Sequence, residues 1–151
     1  MAIERPTPYG NFNFIVDFAH GDTETTRGGF SEISGLNIEV TSAEYRAGNS
    51  KANHPIKING LYKVGDVTFK RGLLAADDLY RWTDEVRTGT PGVLRTVNVQ
   101  LMDEGHQNVV MKWTLINARP IRYTAPTFNA KSGTDVAVEE LVLSIEDLAI
   151  G

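Results

Sequence analysis

Residues 29 to 48 of the chain read Gly29-Phe30-Ser31-Glu32-Ile33-Ser34-Gly35-Leu36-Asn37-Ile38-Glu39-Val40-Thr41-Ser42-Ala43-Glu44-Tyr45-Arg46-Ala47-Gly48. A short aromatic strand, Phe30–Ile33, is followed by a glycine hinge and then by a long strand in which Leu36, Ile38 and Val40 share one face. This period of two predicts a strand with one face in a core and the other in water. The alternation slips after Val40, and a bulge near Thr41–Ala43 would return the apolar residues to the core-facing side.

Length and composition fit a single domain, 1–151, and exclude several classes of protein. The 151 residues are 41% hydrophobic, which is enough for a core, and the net charge of −4 gives no strong field for nucleic acid. There is no cysteine, so disulfides and thiolate chemistry are excluded. No apolar run approaches the ~20 residues of a membrane-spanning helix, and Met1–Pro6 lacks an apolar signal core. We therefore expect a soluble protein that folds in a cytosol without stable membrane insertion.

The rest of the chain predicts more strands and one helix. Apolar and polar residues alternate in further predicted strands at Phe12–Phe18, Asp66–Arg71 and Val97–Leu101. Two more strands are predicted at Val109–Ile116, which is apolar on both faces, and at Val136–Ile145, where the alternation slips in phase. Ala75–Arg87 is the predicted helix, because Leu79, Trp82 and Val86 recur at helical spacing and form one apolar stripe. The predicted fold class is therefore mainly β: an antiparallel β-barrel of two packed sheets, with one flanking α-helix and a long protruding loop.

The protruding loop is predicted at Arg46–Lys63, where glycine, asparagine and proline interrupt the pattern. It is basic, since no acidic residue occurs between Glu44 and Asp66. Loops of this length are usually either functional or disordered. We expect either a solvated loop or an arm that packs on a neighbouring molecule through its charged and ionisable residues, which are Arg46, Lys51, His54, Lys57 and Lys63.

No combination of residues predicts a catalytic, cofactor or metal site. His20, His54 and His106 all fall in predicted loops, and none has the spacing of a zinc pair. The adjacent acids Glu139 and Glu140 would point to opposite faces of a strand, so they cannot act together as an acid–base pair. The sequence therefore predicts a protein that is not an enzyme and that needs no cofactor or metal.

Several predicted strands carry polar residues on their outward faces. Two readings remain open: an ordinary wetted sheet surface, or the wall of an aqueous channel built from several sheets side by side. The residues expected to face such a channel, or lumen, are Asn37, Glu39, Thr41, Asn98 and Gln100.

The stretches that carry a resemblance to known proteins are, in chain order, Gly29–Leu36, Glu44–Gly48, Gly60–Gly72, Asp78–Trp82, Trp113–Pro120, Phe128–Ser132 and Val138–Leu141. Taken together, they resemble the tail tube proteins of contractile phage tails and extracellular contractile injection systems. The resemblance covers nearly the whole chain.

The resemblance implies a structural role in a hollow inner tube. Subunits of this family form hexameric rings that stack inside a contractile sheath, and the contracting sheath drives the tube through a target membrane to deliver cargo. The implied partners are further copies of the chain, the sheath protein, the baseplate, hub and spike proteins, and cargo in the lumen. The implied location is the bacterial cytoplasm during assembly and then a phage tail-like particle. The loop Arg46–Lys63 would reach a neighbouring subunit or ring.

Two alternatives remain open at this stage. The chain could belong to the tail of a contractile phage and conduct DNA, since a mixed, non-basic lumen suits DNA as well as protein cargo. It could also be a monomeric β-barrel that binds a small ligand or peptide in its interior.

Overall fold

The structure is a computed structural model that describes residues 7–10, 13–17, 30–73, 78–89, 94–105, 107–131 and 136–151. Within these residues the chain forms nine strands and one helix. In chain order they are β1 (Phe14–Asp17), β2 (Phe30–Ser34), β3 (Ile38–Tyr45), β4 (Ile56–Val64), β5 (Val67–Gly72), α1 (Asp78–Arg87), β6 (Arg95–Met102), β7 (Val109–Thr124), β8 (Val138–Ser144) and β9 (Asp147–Ile150).

Strand β7 is long enough to belong to two sheets. Its first part pairs with β6 on one side and β9 on the other, and β6 also pairs with β1; we call these strands the front sheet. Its last part pairs with β8, which continues to β5 and β2 as the back sheet. All these pairings are antiparallel. The partners of β7 change near Asn117, whose φ is 53°, and the Asn117 amide donates a 2.7 Å hydrogen bond to Glu146, between β8 and β9.

One hydrophobic core fills the space between the two sheets and the helix. The front sheet contributes Val97 and Leu115, and the back sheet contributes Phe69 and Leu141. The helix closes the core with Leu79 and Trp82, which is 1% exposed. The predicted class is thus confirmed: a mainly β protein with antiparallel sheets and one helix in the described residues. The strands form two facing sheets that share β7, and the strand order of the described part does not close into a barrel.

The predicted elements are present, with shifted ends. The helix runs Asp78–Arg87 within the predicted Ala75–Arg87, and residues 74–77 lie outside the described residues. Two ends of the predicted strand Phe12–Phe18 also lie outside them, at residues 12 and 18. The last predicted strand, Val136–Ile145, contains β8, and β9 at Asp147–Ile150 is a further strand that the sequence did not predict.

The prediction of a loop over the whole of Arg46–Lys63 is wrong in its second half. Ile56–Val64 is strand β4 and pairs with β3 from Tyr45 back to Ile38. Only the segment between Tyr45 and Ile56 is a loop. The glycine and asparagine residues of this stretch are typical of loops. Gly60 nevertheless lies within β4, because the partner strand comes too close at this point to leave room for a side chain.

The prediction that β3 faces the core is also wrong. Ile38 and Val40 are 47% and 58% exposed, although Leu36 just before them packs against the core. Among the described strands, β3 pairs with β4 alone and the two form a separate hairpin. The alternation of apolar residues correctly marks one shared face, but that face is not part of the core of this chain.

Candidate assembly surfaces

The β3–β4 hairpin presents one apolar face to solvent. The cross-strand register places the apolar side chains of both strands on the same side. We call this set the apolar hairpin face, and its members are Ile38, Val40, Ala43, Tyr45, Ile56, Ile58, Tyr62 and Val64. All except Val64 are exposed. A contiguous apolar patch of this kind is typical of a surface that another molecule covers.

A bulge at Thr41 keeps this face continuous. The register shifts between Val40 and Ser42, which confirms the bulge predicted near Thr41–Ala43. The Thr41 hydroxyl donates a 2.6 Å hydrogen bond to the carbonyl of Leu61. A Cβ on Gly60 would lie 2.7 Å from the Thr41 hydroxyl oxygen, so glycine allows this close approach. The extra residue brings Ala43 and Tyr45 back to the side occupied by Ile38 and Val40.

The opposite face of the hairpin is mostly charged. Glu39 and Lys63 form an exposed ion pair at 3.7 Å, and Glu44 lies opposite Lys57 in the register. Exposed pairs contribute about 0–1 kcal/mol each, so these pairs add little to stability. Leu61, which is 87% exposed, is the apolar exception on this face. The hairpin is therefore two-faced, with one apolar side and one charged side.

The loop between the two strands is held by Arg46. The guanidinium donates from Nε to the carbonyl of Ala52 at 3.1 Å and from a terminal nitrogen to the carbonyl of Ser50 at 3.2 Å. Lys51 and His54 are exposed in this loop. Among the residues predicted to contact a neighbour, Arg46 thus binds its own loop and Lys63 pairs with Glu39, whereas Lys51 and His54 lie at the tip.

The base of the hairpin is fixed to the sheets. Gly35 has a φ of 93°, and a Cβ there would collide with the carbonyl of Asp66. The Gly65 amide donates to the carbonyl of Asn37 at 3.3 Å, which closes the base. Strand β4 also contacts β9. The negative charge of Asp147 on β9, and the hydrogen bond that it accepts from the Tyr62 hydroxyl, raise the pKa of Tyr62. The hairpin of one chain is therefore placed next to its own β9.

The outer face of the front sheet is polar. On β6, Val97 and Val99 are buried, and Asn98 and Gln100 alternate with them on the outer side. Asn98 lies opposite Thr114, whose hydroxyl donates to the Asn98 amide oxygen at 3.1 Å, and Gln100 lies opposite Lys112. This outer face carries amides, a hydroxyl and a lysine.

The residues predicted to face a lumen are divided between two sheets. Asn98 and Gln100 lie together on the front sheet. Glu39 and Thr41 lie on β3, and Asn37 lies just before it at the base of the hairpin. The Thr41 hydroxyl is used inside the hairpin.

Strand β9 is an edge strand in the described part of the chain. It pairs with β7 alone, and Gly151 extends this ladder by exchanging hydrogen bonds of 2.9 Å and 3.2 Å with Lys112. Ala149 and Ile150 are exposed. An exposed edge strand is a template for pairing with another chain.

A buried ionic cluster escaped the sequence analysis. Arg71 is fully buried and binds the carboxylates of Glu139 and Asp78, and the Tyr123 hydroxyl donates to Glu139 at 2.7 Å. Burial and the hydrogen bond to Glu139 raise the pKa of Tyr123 to about 12. The alternation of Val67, Phe69 and Arg71 on β5 could have placed Arg71 inside. The cluster ties β5, β7 and β8 to the start of α1.

Two kinds of feature are absent from the described residues. They contain no group of three or more His, Cys, Asp or Glu side chains able to hold a metal ion. They also contain no helix with the length and hydropathy needed to cross a bilayer.

Comparison with known proteins places the chain in a family. Residues 10–149 match the family described as T4-like virus tail tube protein gp19. The comparison with curated proteins returns no match.

Solved structures agree with the family match. The chain is similar to a chain of the anti-feeding prophage cap, the AFP tube terminating cap, with 24% identity, a TM-score of 0.83 and coverage of 100% of this chain and 95% of that one. It is also similar to a chain of the PVC sheath–tube complex of an extracellular contractile injection system, in the extended state. That comparison gives 24% identity, a TM-score of 0.82 and coverage of 97% of this chain and 93% of that one. A chain of the PVC sheath/tube terminator gives 25% identity, a TM-score of 0.79 and coverage of 99% of both chains.

The fold and the family match define a structural tail tube protein, which is not an enzyme class. The chain belongs to the family of T4-like virus tail tube protein gp19. The resemblance seen in the sequence is thereby confirmed.

Proposed function

We propose that the chain is the repeating subunit of the hollow inner tube of a contractile injection system. In this proposal, hexameric rings stack inside a contractile sheath, and sheath contraction drives the tube through a target membrane to deliver cargo. Membership of the tail tube family supports a tube protein. The observation that carries self-association is the apolar hairpin face, which this chain alone leaves in water.

The apolar hairpin face supplies the driving force for assembly. Burying a large apolar side chain contributes about 1.5–3 kcal/mol, and Val40, Ile56 and Ile58 are each more than half exposed. A contact between this face and a different surface of the next copy is heterologous, so it can repeat without closing and build a filament. In this proposal, Arg46, Lys51 and His54 of the loop and Lys57 and Lys63 of β4 add contacts with neighbouring copies to those of the apolar hairpin face.

The front sheet provides an edge strand that joins subunits into a ring and a polar face that lines the lumen. Its edge strand β9 can accept a strand from an adjacent copy, which would remove an exposed edge. A sheet continued in this way around a ring has one polar side, and Asn98 and Gln100 then face the lumen. Glu39 on the charged face of the hairpin, with Asn37 and Thr41 nearby, extends this polar surface along the tube axis.

The other proposed partners are the proteins that surround or end such a tube. We propose contacts with the sheath protein on the outside of the tube and with the baseplate, hub and spike proteins at one end. The subunit is assembled in the bacterial cytoplasm and leaves it as part of a phage tail-like particle. Protein cargo fits the mixed, non-basic polar wall, and a phage tube that conducts DNA is the alternative.

A second candidate role is that of a cap or terminator. The chain is as similar to an AFP cap chain and to a PVC terminator chain as to a chain of the PVC sheath–tube complex. The two roles differ in the product of self-assembly. A tube subunit elongates into long tubes, whereas a terminator stops after a ring or a short stack.

The experiment compares two neighbouring hairpin positions on opposite faces. Ile58→Glu places a charge on the apolar hairpin face, and Asn59→Glu places the same charge on the charged face. In sedimentation velocity, Ile58→Glu is expected to remain a folded monomer at concentrations where the wild type and Asn59→Glu assemble. Circular dichroism checks that both variants are folded. Assembly of Ile58→Glu at the wild-type concentration would contradict the proposal, and a wild type that stays monomeric with a bound small molecule would favour the ligand-binding barrel.

A further inference from the structure

The chain contains a single Asn-Gly dipeptide, Asn59–Gly60, and it lies inside strand β4. Both residues are exposed. Asparagine is one of the thermolabile residues of proteins. A glycine that follows it has no Cβ to shield its own backbone nitrogen. The side-chain amide of Asn59 therefore lies next to an unhindered backbone nucleophile.

The Asn59 side chain makes no hydrogen bond within the described part of the chain. In contrast, the side chains of Asn98 and Asn117 are each held by a hydrogen bond to another side chain. Asn49 and Asn53 in the hairpin loop are exposed and unbonded like Asn59, but serine and histidine follow them. Among these five asparagines, only Asn59 combines a free, exposed amide with a following glycine.

The strand ladder is interrupted next to this dipeptide. Asn59 is the last paired residue of β4 before the register shifts. Beyond it, Gly60 and Leu61 lie opposite the single residue Thr41. A bulge leaves one residue outside the ladder, and a hairpin that forms its own two-stranded sheet is only marginally stable. The backbone at Asn59–Gly60 can therefore rotate without opening the core.

We propose that Asn59–Gly60 is a site of spontaneous deamidation in the unassembled chain. The Gly60 backbone nitrogen attacks Cγ of Asn59 and closes a cyclic succinimide. The bond between Cγ and Nδ2 breaks, and the amide group leaves as ammonia with the proton from the Gly60 nitrogen. Water then opens the ring at either of its carbonyls, which leaves aspartate or isoaspartate at position 59. Both reacting groups belong to adjacent residues, so the reaction needs no enzyme or cofactor.

The two products differ in their effect on the hairpin. Isoaspartate directs the backbone through the former side chain and adds one methylene group, which lengthens the path by about 1.5 Å. The segment of β4 from Ile56 to Asn59 then no longer keeps its register with β3. Aspartate leaves the backbone as it was and adds only a negative charge. The isoaspartate form is therefore expected to have a loosened hairpin.

The test is a time course of peptide mass spectrometry on the purified wild-type protein, kept below the concentration at which it assembles. Deamidation raises the mass of the peptide that contains position 59, and protein L-isoaspartyl methyltransferase detects the isoaspartate product as a methyl acceptor. We expect position 59 to be modified several-fold faster than Asn49 and Asn53 in the same sample. These two asparagines are the matched internal controls, because they are exposed and unbonded but lack the following glycine. Modification at position 59 that is no faster than at the controls would overturn the proposal.

A pair of variants tests the contribution of the bulge. The Thr41 hydroxyl donates its 2.6 Å hydrogen bond to the Leu61 carbonyl, so Thr41→Val should loosen the bulge and speed deamidation several-fold. Ser42→Ala is the control, because Ser42 lies opposite Asn59 and its hydroxyl makes no hydrogen bond within the described residues. Circular dichroism checks that both variants are folded. Equal rates in the wild type and in Thr41→Val would overturn the role given to the bulge.

Limited proteolysis tests the consequence for the hairpin. Aged wild-type protein that is rich in isoaspartate should be cut faster in the hairpin loop than fresh protein. Asn59→Asp, which carries the charge on an unaltered backbone, should be cut at the rate of fresh protein. Equal cleavage of aged and fresh protein would overturn the expected loosening. None of these measurements requires assembly, so this inference goes beyond the proposed tube role and can fail or stand independently of it.

Discussion

Arg71 and Glu139 form an ion pair that is almost fully removed from solvent. The guanidinium donates to Glu139 Oε1 from Nε at 2.8 Å and from a terminal nitrogen at 2.6 Å, and the two side chains are 0% and 1% exposed. The same guanidinium binds Asp78 at the start of α1, and its carbon lies 5.5 Å from the centre of the Phe30 ring. Because it binds both carboxylates, the Arg71 guanidinium fastens the helix to the back sheet.

We expect Arg71→Met to destabilise the fold by about 3–5 kcal/mol, because Glu139 would be left as a buried charge without its partner. The measurement is the free energy of unfolding in urea. The matched control is Lys70→Met on the same strand, whose exposed pair with Glu32 should cost only about 0–1 kcal/mol.

The double variant Arg71→Met/Glu139→Gln should recover part of the loss, since a neutral amide is less costly to bury than an unpaired carboxylate. An Arg71→Met protein as stable as Lys70→Met would show that the ion pair does not hold this region.

Acid is expected to weaken the same region. Burial acts to raise the pKa of Asp78, but the hydrogen bond and charge of Arg71 outweigh it and hold that pKa below its ordinary value of 3.8. Ionised Asp78 therefore stabilises the fold above pH 3.8, and this contribution is lost as the pH falls through the lower, folded-state pKa. In urea titrations at decreasing pH, Asp78→Asn should lose less stability than the wild type below pH 3.8. Equal losses in the two proteins would argue against this role of Asp78.

The glycine hinge before the hairpin should not tolerate a side chain. Gly35→Ala puts a Cβ against the Asp66 carbonyl at a φ of 93°, so we expect a loss of more than about 1 kcal/mol in urea unfolding. Gly48→Ala is the control, because a Cβ at Gly48 meets no atom within 4 Å. A neutral Gly35→Ala would contradict the geometry at the base of the hairpin.

Arg46 is expected to act by ordering the hairpin loop. Arg46→Met removes the hydrogen bonds to the Ser50 and Ala52 carbonyls, and the fold should remain stable because the loop is exposed. Limited proteolysis should cut the loop faster, and assembly should need a higher protein concentration. Lys51→Met, which changes a neighbouring charge in the same loop, should leave the cleavage rate unchanged. Cleavage of Arg46→Met at the wild-type rate would show that the loop is ordered without the guanidinium.

The sequence predicted the two-faced character of β3 but not what its apolar face meets. A period of two shows that Ile38 and Val40 share a side, and the slip after Val40 located the bulge at Thr41. Both features depend only on local backbone geometry. Whether the shared side meets the core or another molecule depends on tertiary placement, which alternation does not encode.

Strand β4 was missed because Asn59 and Gly60 are ordinary loop residues. Gly60 is needed in a strand here because the Thr41 bulge comes so close, and this contact joins residues far apart in the chain. The ionic cluster was missed for a similar reason. Glu139 was correctly separated from Glu140, but its partner Arg71 comes from another strand, and only the β5–β8 register brings the two together.

The most direct test of the tube role is negative-stain electron microscopy of the purified protein across a concentration series, with light scattering alongside. The proposal predicts rings with a central hole that lengthen into tubes as the concentration rises. Ile58→Glu should give neither rings nor tubes, and Asn59→Glu should resemble the wild type. A wild-type protein that remains a uniform monomer at every concentration would contradict self-assembly through the hairpin.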